Sequence, residues 1–295
     1  MTGELVVVST PIGNLGDLST RATQTLAGAN RILCEDTRRT RILLSAVGIP
    51  GAGRLTSLHE HNEDGRIASV LAEIAGGALV ALVCDAGTPG ISDPGQRLIA
   101  AASEAGVVIT AVPGASALLT ALVVSGLPTD RFCMEGFVPR KGKERELALS
   151  ALAVEERTSV IYEAPSRLAA LLASLAEVLN GDRRVCVCRE LTKLHEEVWR
   201  GTLADAVEHW SSVEVRGEIV VVLAGADPPA PTVVDDAQVA ALQRPWRHRV
   251  ESAPEPAKPA REQPLAHRRR RSAPGLRAGE RPGVSAQVSA PCCGR

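Results

Sequence analysis

Five apolar residues, Leu79-Val80-Ala81-Leu82-Val83, run without a break into Cys84-Asp85-Ala86-Gly87-Thr88-Pro89-Gly90-Ile91-Ser92-Asp93-Pro94-Gly95, and this junction constrains the fold more than any other stretch. A continuous apolar run of strand length is the pattern of a strand buried on both faces of a parallel sheet. The segment that follows, Gln96 to Ala102, reads as a helix. Between them lie twelve residues with three glycines, two prolines and two aspartates, whereas a plain strand-to-helix turn needs only roughly two to six. Open α/β sheets bind their ligands at the carboxyl ends of strands, where this loop falls. Glycine lets the backbone approach a ligand or take φ > 0, and proline sets the shape of the loop beforehand. Asp85 and Asp93 then offer acceptors to hydroxyl or amino groups.

The same junction recurs. Leu5 to Val8 reads as a buried strand entering Ser9-Thr10-Pro11-Ile12-Gly13-Asn14-Leu15-Gly16-Asp17, followed by a helix that Ser19 can cap. Val107 to Val112 reads as a strand ending at Pro113-Gly114-Ala115-Ser116-Ala117, where an apolar helix opens with free N–H groups suited to a carboxylate. Two further strands lead into charged loops. Arg31 to Cys34 enters Glu35-Asp36-Thr37-Arg38-Arg39-Thr40, and Leu55 to Leu58 enters His59-Glu60-His61-Asn62-Glu63-Asp64. The His-x-His spacing raises the thought of a metal, but no third ligand accompanies it, so these residues are expected to line a cleft and no metal is expected.

From Gly126 to Arg145 the periodicity stops, which reads as a polar connection. Gly136 to Glu144 imitates a phosphate-binding loop, yet it is one residue too long and places Glu144 where a hydroxyl should hold magnesium. The α/β rhythm resumes with strands at Thr158–Tyr162, Val185–Cys188 and Glu218–Leu223 and a helix from Leu203 to Trp210; Arg189 to Glu197 is too charged for a core. Cys186 and Cys188 read as buried thiols, one on each face of their strand. The expected fold is thus α/β, two domains with mostly parallel sheets. Residues 1–114 form the first domain, 115–226 the second, and 227–295 a tail. That tail holds 12 Lys/Arg against 7 Asp/Glu and 11 of the 19 prolines, a composition that predicts disorder.

Several function classes fall away. No GxGxxG follows the first strand and no Walker motif is present, which argues against nicotinamide cofactors and nucleoside triphosphates. No apolar run approaches the roughly 18 residues of a membrane helix, and seven cysteines without a paired framework predict a reducing cytoplasm. None of the three glycine-bearing loops contains Lys or Arg, so the expected ligand carries a carboxylate, hydroxyls and an adenine-like ring rather than a phosphate chain. S-adenosylmethionine meets that description.

Eight motifs in order sharpen the reading: TPIGNLGD at 10–17, CEDTRRT at 34–40, LHEHNE at 58–63, CDAGTPGISDPG at 84–95, PGASAL at 113–118, DRFCMEGFVPRKGKER at 130–145, YEAPSRL at 162–168 and RELTKLHEE at 189–197. Together they resemble the ribosomal RNA small subunit methyltransferase I family, the RNA-modifying branch of the tetrapyrrole methylases. The resemblance implies a two-domain α/β enzyme, a homodimer, that binds S-adenosylmethionine in a ligand cleft between its domains and uses it to methylate the ribose 2′-hydroxyl of a cytidine in the decoding region of 16S ribosomal RNA. It implies cofactor contacts from Pro11, Ile12 and Gly13, from Asp85, Ala86, Gly87 and Thr88, and from Ser116 and Ala117, with Gly136, Phe137 and Glu218 as weaker candidates. Glu35, Asp36 and His61 are the acid-base candidates, on loops that can reach the cleft. Two alternatives remain: a tetrapyrrole C-methyltransferase, and a ribosome-binding protein that senses the cofactor without turning it over.

Overall fold

The computed structural model describes residues 3–227, so the expectation of a disordered tail lies outside the described residues. The first sheet contains β1 (Glu4–Val8), β2 (Arg31–Cys34), β3 (Leu55–Ser57), β4 (Leu79–Leu82) and β5 (Val108–Val112) in the order β3-β2-β4-β1-β5. Every pairing in it is parallel. Helical crossovers impose that direction: α1 (Thr20–Gly28), α2 (Thr37–Ala46), α3 (Glu63–Ala75) and α4 (Gln96–Glu104) return the chain to the same end of the strands each time. Alternation sorts the side chains between two cores. Val6, Val8, Ile32 and Cys34 pack with Leu26 of α1 and Leu44 of α2, while Leu5, Val7, Leu33 and Leu82 pack with Val70 of α3 and Leu98 of α4. Ser19 caps α1 as expected, its hydroxyl accepting the Ala22 N–H at 3.1 Å.

The second sheet, in the order β6-β7-β10-β8-β9, contains β6 (Phe132–Phe137), β7 (Thr158–Glu163), β8 (Arg184–Arg189), β9 (Glu197–Thr202) and β10 (Ile219–Leu223). Here the α/β expectation is refined, because the sheet is mixed. Only β6 and β7, joined through α6 (Gly142–Val154), run parallel; β7, β10, β8 and β9 pair antiparallel in succession. Two edge strands lie where the sequence reading places none: the first falls in the stretch that reads as a polar connection, the second begins at the end of the segment too charged for a core. Phe132-Cys-Met-Glu-Gly-Phe137 is interrupted by a bulge between Met134 and Gly136, and Glu197-Val-Trp-Arg-Gly-Thr202 is only partly covered, so neither shows a continuous apolar run.

One face of this sheet packs against α6, α7 (Leu168–Leu179) and α8 (Leu203–Ser211), burying Leu152, Leu171, Leu172, Leu175 and Trp210. The other face holds α5 (Ala117–Ser125), whose Ala121 and Leu122 join Val160, Val220 and Val222. Cys186 and Cys188 both belong to this second core, with sulfurs 3.6 Å apart. The expectation of one cysteine per face is corrected on simple grounds, since residues two apart on a strand share a face.

The start of α8 is held by a reciprocal box. Thr202 Oγ1 accepts the Asp205 N–H at 3.2 Å and Asp205 Oδ2 accepts the Thr202 N–H at 3.0 Å. Thr202→Ala is expected to lower stability by about 1 kcal/mol in urea titration. Asp205→Ala should cost a similar amount, and the double variant less than the sum, because each residue holds the other's partner.

Candidate active site

Three loops leave the carboxyl ends of neighbouring strands β4, β1 and β5, and backbone bonds fuse them. Thr10 N–H donates to Gly87 O at 2.8 Å and Gly87 N–H returns a bond to Thr10 O at 3.1 Å. Thr10 Oγ1 donates to Cys84 O at 3.2 Å, Ser9 and Thr88 hydroxyls meet at 2.9 Å, and Thr88 Oγ1 reaches Ala115 O of the third loop at 3.4 Å. Gly87 sits at φ 87°, a left-handed conformation that only glycine adopts without strain. Gly114 is required for another reason: a Cβ there would stand 3.0 Å from that of Ser9.

These loops form one wall of a cavity of about 410 Å³, lined by Ile12, Ala86, Gly87, Thr88, Ser116 and Ala117. The remainder of that wall comes from Ile91, Ser92 and Asp93. The opposite wall is built by the second sheet, from Phe137 at the end of β6, from Tyr162 to Pro165 at the end of β7, and from Gly217 to Val220 entering β10. Phe137 and Tyr162 meet edge to face with ring centroids 5.9 Å apart. The Glu163 carboxylate is buried, its Oε1 accepting the Ala164 N–H at 2.8 Å and its Oε2 3.1 Å from the Arg167 guanidinium. Ser116 caps α5, its hydroxyl accepting the Leu119 N–H at 3.4 Å, so Ala117 presents the first turn of the helix to the cavity.

A second, polar cavity of about 580 Å³ adjoins it, lined by Glu35, His59, Glu60, His61, Glu63 and Arg97, and by Gly90 to Gln96 without Ile91 and Gly95. Ser92 and Asp93 line both cavities. Burial, and then the Asp85 carboxylate, push the Glu35 carboxyl above its usual range. Burial pushes Asp93 further, to about 6, with a hydrogen bond from Cys84 opposing and the charges of Glu35 and Asp85 assisting.

Of the residues singled out in the sequence, Ile12, Ala86, Gly87, Thr88, Ser116 and Ala117 come together in the first cavity, and Glu35 and His61 in the second. Pro11, Gly13, Asp85 and Asp36 line neither. Gly13 is covered by the Lys193 side chain. Asp85 joins two loops, its Oδ1 accepting the Asp36 N–H at 3.1 Å and its Oδ2 3.4 Å from Arg39. Asp36 caps α2 and is engaged by Arg38, whose side-chain hydrogen bond holds the half-buried carboxyl down at about 2. Of the weaker candidates, Phe137 and Glu218 line the first cavity. Sequence reasoning missed Tyr162, Glu163, Ala164 and Pro165 as lining residues, although they too stand at a strand's carboxyl end. The His59 and His61 rings are 6.0 Å apart, and among the described residues no group of three or more His, Cys, Asp and Glu is placed to hold a metal ion.

A parallel sheet whose strand-end loops face a second, mixed sheet across a cavity defines a class, and the family model described as Tetrapyrrole (Corrin/Porphyrin) Methylases matches residues 4–207. Uroporphyrin-III C-methyltransferase from Thermus thermophilus, solved in complex with S-adenosylhomocysteine, shares this fold. It has a TM-score of 0.52 and 21% identity, covering 75% of this chain and 97% of that one. Closer in sequence are two proteins called ribosomal RNA small subunit methyltransferase I. That of Mycobacterium tuberculosis is 51% identical over 229 residues, 78% of this chain and 80% of its own. That of Synechocystis is 49% identical over 226 residues, 77% and 80% respectively. The chain belongs to the ribosomal RNA small subunit methyltransferase I family.

Proposed function

We propose that this protein methylates the ribose 2′-hydroxyl of a cytidine in the decoding region of 16S ribosomal RNA, with S-adenosylmethionine as methyl donor. One observation carries the reading: a largely apolar cavity at the fused strand-end loops adjoins a polar one. The first suits the cofactor. Its volume lies in the range of small-molecule sites, Gly87 lines it with bare backbone, and the first turn of α5 at Ala117 presents N–H groups suited to a carboxylate. Ile12, Ala86, Gly87, Thr88, Ser116 and Ala117 would touch it; Pro11, Gly13 and Asp85 would act from behind by fixing the loops. S-adenosylmethionine, when bound, supplies a methyl group on a sulfonium that is already a good leaving group.

The chain's own part is alignment and proton handling. Glu35, His61 and Arg97 on the polar cavity would hold the nucleotide. Asp36, tied to Arg38, would fix the loop that carries Glu35. The reading places the division between lobes at residues 114 and 115, with α5 entering the second, and takes the enzyme to be a cytoplasmic homodimer acting on the small subunit.

Incubation with S-adenosylmethionine labelled in its methyl group and 30S subunits from cells lacking the modification tests the reading. Label is expected in one cytidine of 16S RNA, in a linkage that resists alkali. Label in precorrin instead would favour the tetrapyrrole alternative, and tight cofactor binding without transfer to either substrate would favour a sensor.

A further inference from the structure

Asp93 stands where the two cavities meet, and the chain goes to some length to place it there. Gly90 at φ 81°, Ser92 at φ 61° and Gly95 at φ 118° are all left-handed. A serine seldom occupies that region. At Gly95 a Cβ would approach Leu82 Cδ2 to 2.7 Å, so the chain closes tightly behind the aspartate. The neighbouring carboxylates are engaged. Asp36 pairs with Arg38, Asp85 faces Arg39, and Glu63 accepts the Leu98 N–H at 2.9 Å and faces Arg97. Among the described residues no Lys or Arg pairs with Asp93. Among the described residues Glu35 also has no cation partner, but it lines only the polar cavity and not the first.

We propose that Asp93 is the catalytic base that takes the proton from the ribose hydroxyl, an inference that rests on the reading of the two cavities given above. In that step the hydroxyl oxygen forms its bond to the methyl carbon, the carbon–sulfur bond breaks with its electron pair left on sulfur, and the O–H proton passes to an Asp93 carboxylate oxygen. The products are a 2′-O-methyl ribose, a neutral thioether and a protonated Asp93, which returns its proton to water when the cleft opens.

The surroundings set the pH at which this works. Cys84 and Asp85 face Asp93 from its own loop, Glu35 from the loop after β2, and Tyr162 from β7. His59, His61 and Arg97 complete the polar cavity. With a carboxyl raised to about 6, chiefly by burial, the base is ionised at neutral pH yet basic enough to accept a proton. The linkage has a definite sign. The folded protein keeps this proton to higher pH than the unfolded chain does, so stability falls as pH rises from about 4 to about 6 and stays lower above.

The test compares wild type with Asp93→Asn, Asp93→Glu and Glu35→Gln in four measurements: 30S methylation, its pH profile, S-adenosylhomocysteine calorimetry and thermal melting. Asp93→Asn should lose at least about 100-fold in kcat, with the rise in rate near pH 6 gone. It should still bind S-adenosylhomocysteine to within about twofold of wild type, and Asp93→Glu should recover part of kcat. Independently of turnover, Asp93→Asn should melt above wild type at about pH 8, with the gap closing toward about pH 4. A kcat within about fivefold of wild type, or a surviving rise near pH 6 in Asp93→Asn, overturns the proposal. So does loss of that rise in Glu35→Gln instead, or loss of S-adenosylhomocysteine binding by a folded Asp93→Asn. Wild type that labels no RNA overturns the underlying reading, whereas active wild type with equally active Asp93→Asn overturns this inference alone.

Discussion

Gly87→Val is expected to weaken S-adenosylhomocysteine binding by one to two orders of magnitude and to lower stability at the same time. Gly87 is at φ 87°, lines the first cavity and carries both backbone bonds to Thr10. A β-branched residue held in that conformation stores about 1–3 kcal/mol of strain. If the loop relaxes instead, the Thr10–Gly87 bridge and the wall it supports shift together. Either route worsens a ligand site by roughly tenfold for each 1.4 kcal/mol. Calorimetry reads the affinity and urea titration the stability. Gly28→Ala is the control: Gly28 ends α1, a Cβ there meets nothing within 4 Å, and neither quantity should fall.

Trp210→Ala is expected to cost about 3–5 kcal/mol, the largest loss of stability foreseen for a single residue in this chain. The side chain is 1% exposed in the core between the second sheet and its helices, beside the His209 ring at 5.0 Å. With only six aromatic residues in 295, the aliphatic neighbours cannot refill so large a hole. Trp210→Phe should cost far less, because Trp210 Nε1 is buried without a hydrogen-bond partner among the described residues and phenylalanine removes that orphaned donor. Urea unfolding of the two variants separates lost packing from lost polarity: similar losses for both would show that the ring is needed as an indole.

The parallel half of the fold was legible because its signal is local. Leu5–Val8 and Leu79–Leu82 are short apolar runs, each followed by a glycine-bearing loop, and a strand buried on both faces must read that way. Val108–Val112 lies at the sheet's edge, largely exposed, and was marked instead by its β-branched residues and the Pro-Gly loop after it. Ser19 announced its helix for an equally local reason, a hydroxyl acceptor just before the first turn. The second sheet was less legible. Its edge strands at Phe132–Phe137 and Glu197–Thr202 bury too little to show a run, and antiparallel pairing is a property of partners rather than of a segment. For the site, the loops of the first sheet could be read one at a time. The opposite wall, Phe137 with Tyr162–Pro165 and Gly217–Val220, assembles from three stretches spread over some 80 residues of sequence, so only the fold brings it together. Charge pairing was equally hidden: nothing in Glu35-Asp36-Thr37-Arg38 says that Asp36 is taken up by its neighbour while Glu35 remains free to face a cavity.

The central claim is that loops at the tips of β1, β4 and β5 hold the methyl donor against the second sheet. A crystal structure with S-adenosylhomocysteine tests it most directly. The account predicts the nucleoside between Ala86–Thr88 and Tyr162–Pro165, with its sulfur directed toward Asp93 and the polar cavity. Well-ordered ligand anywhere else on the protein, with that cavity left to solvent, would contradict it.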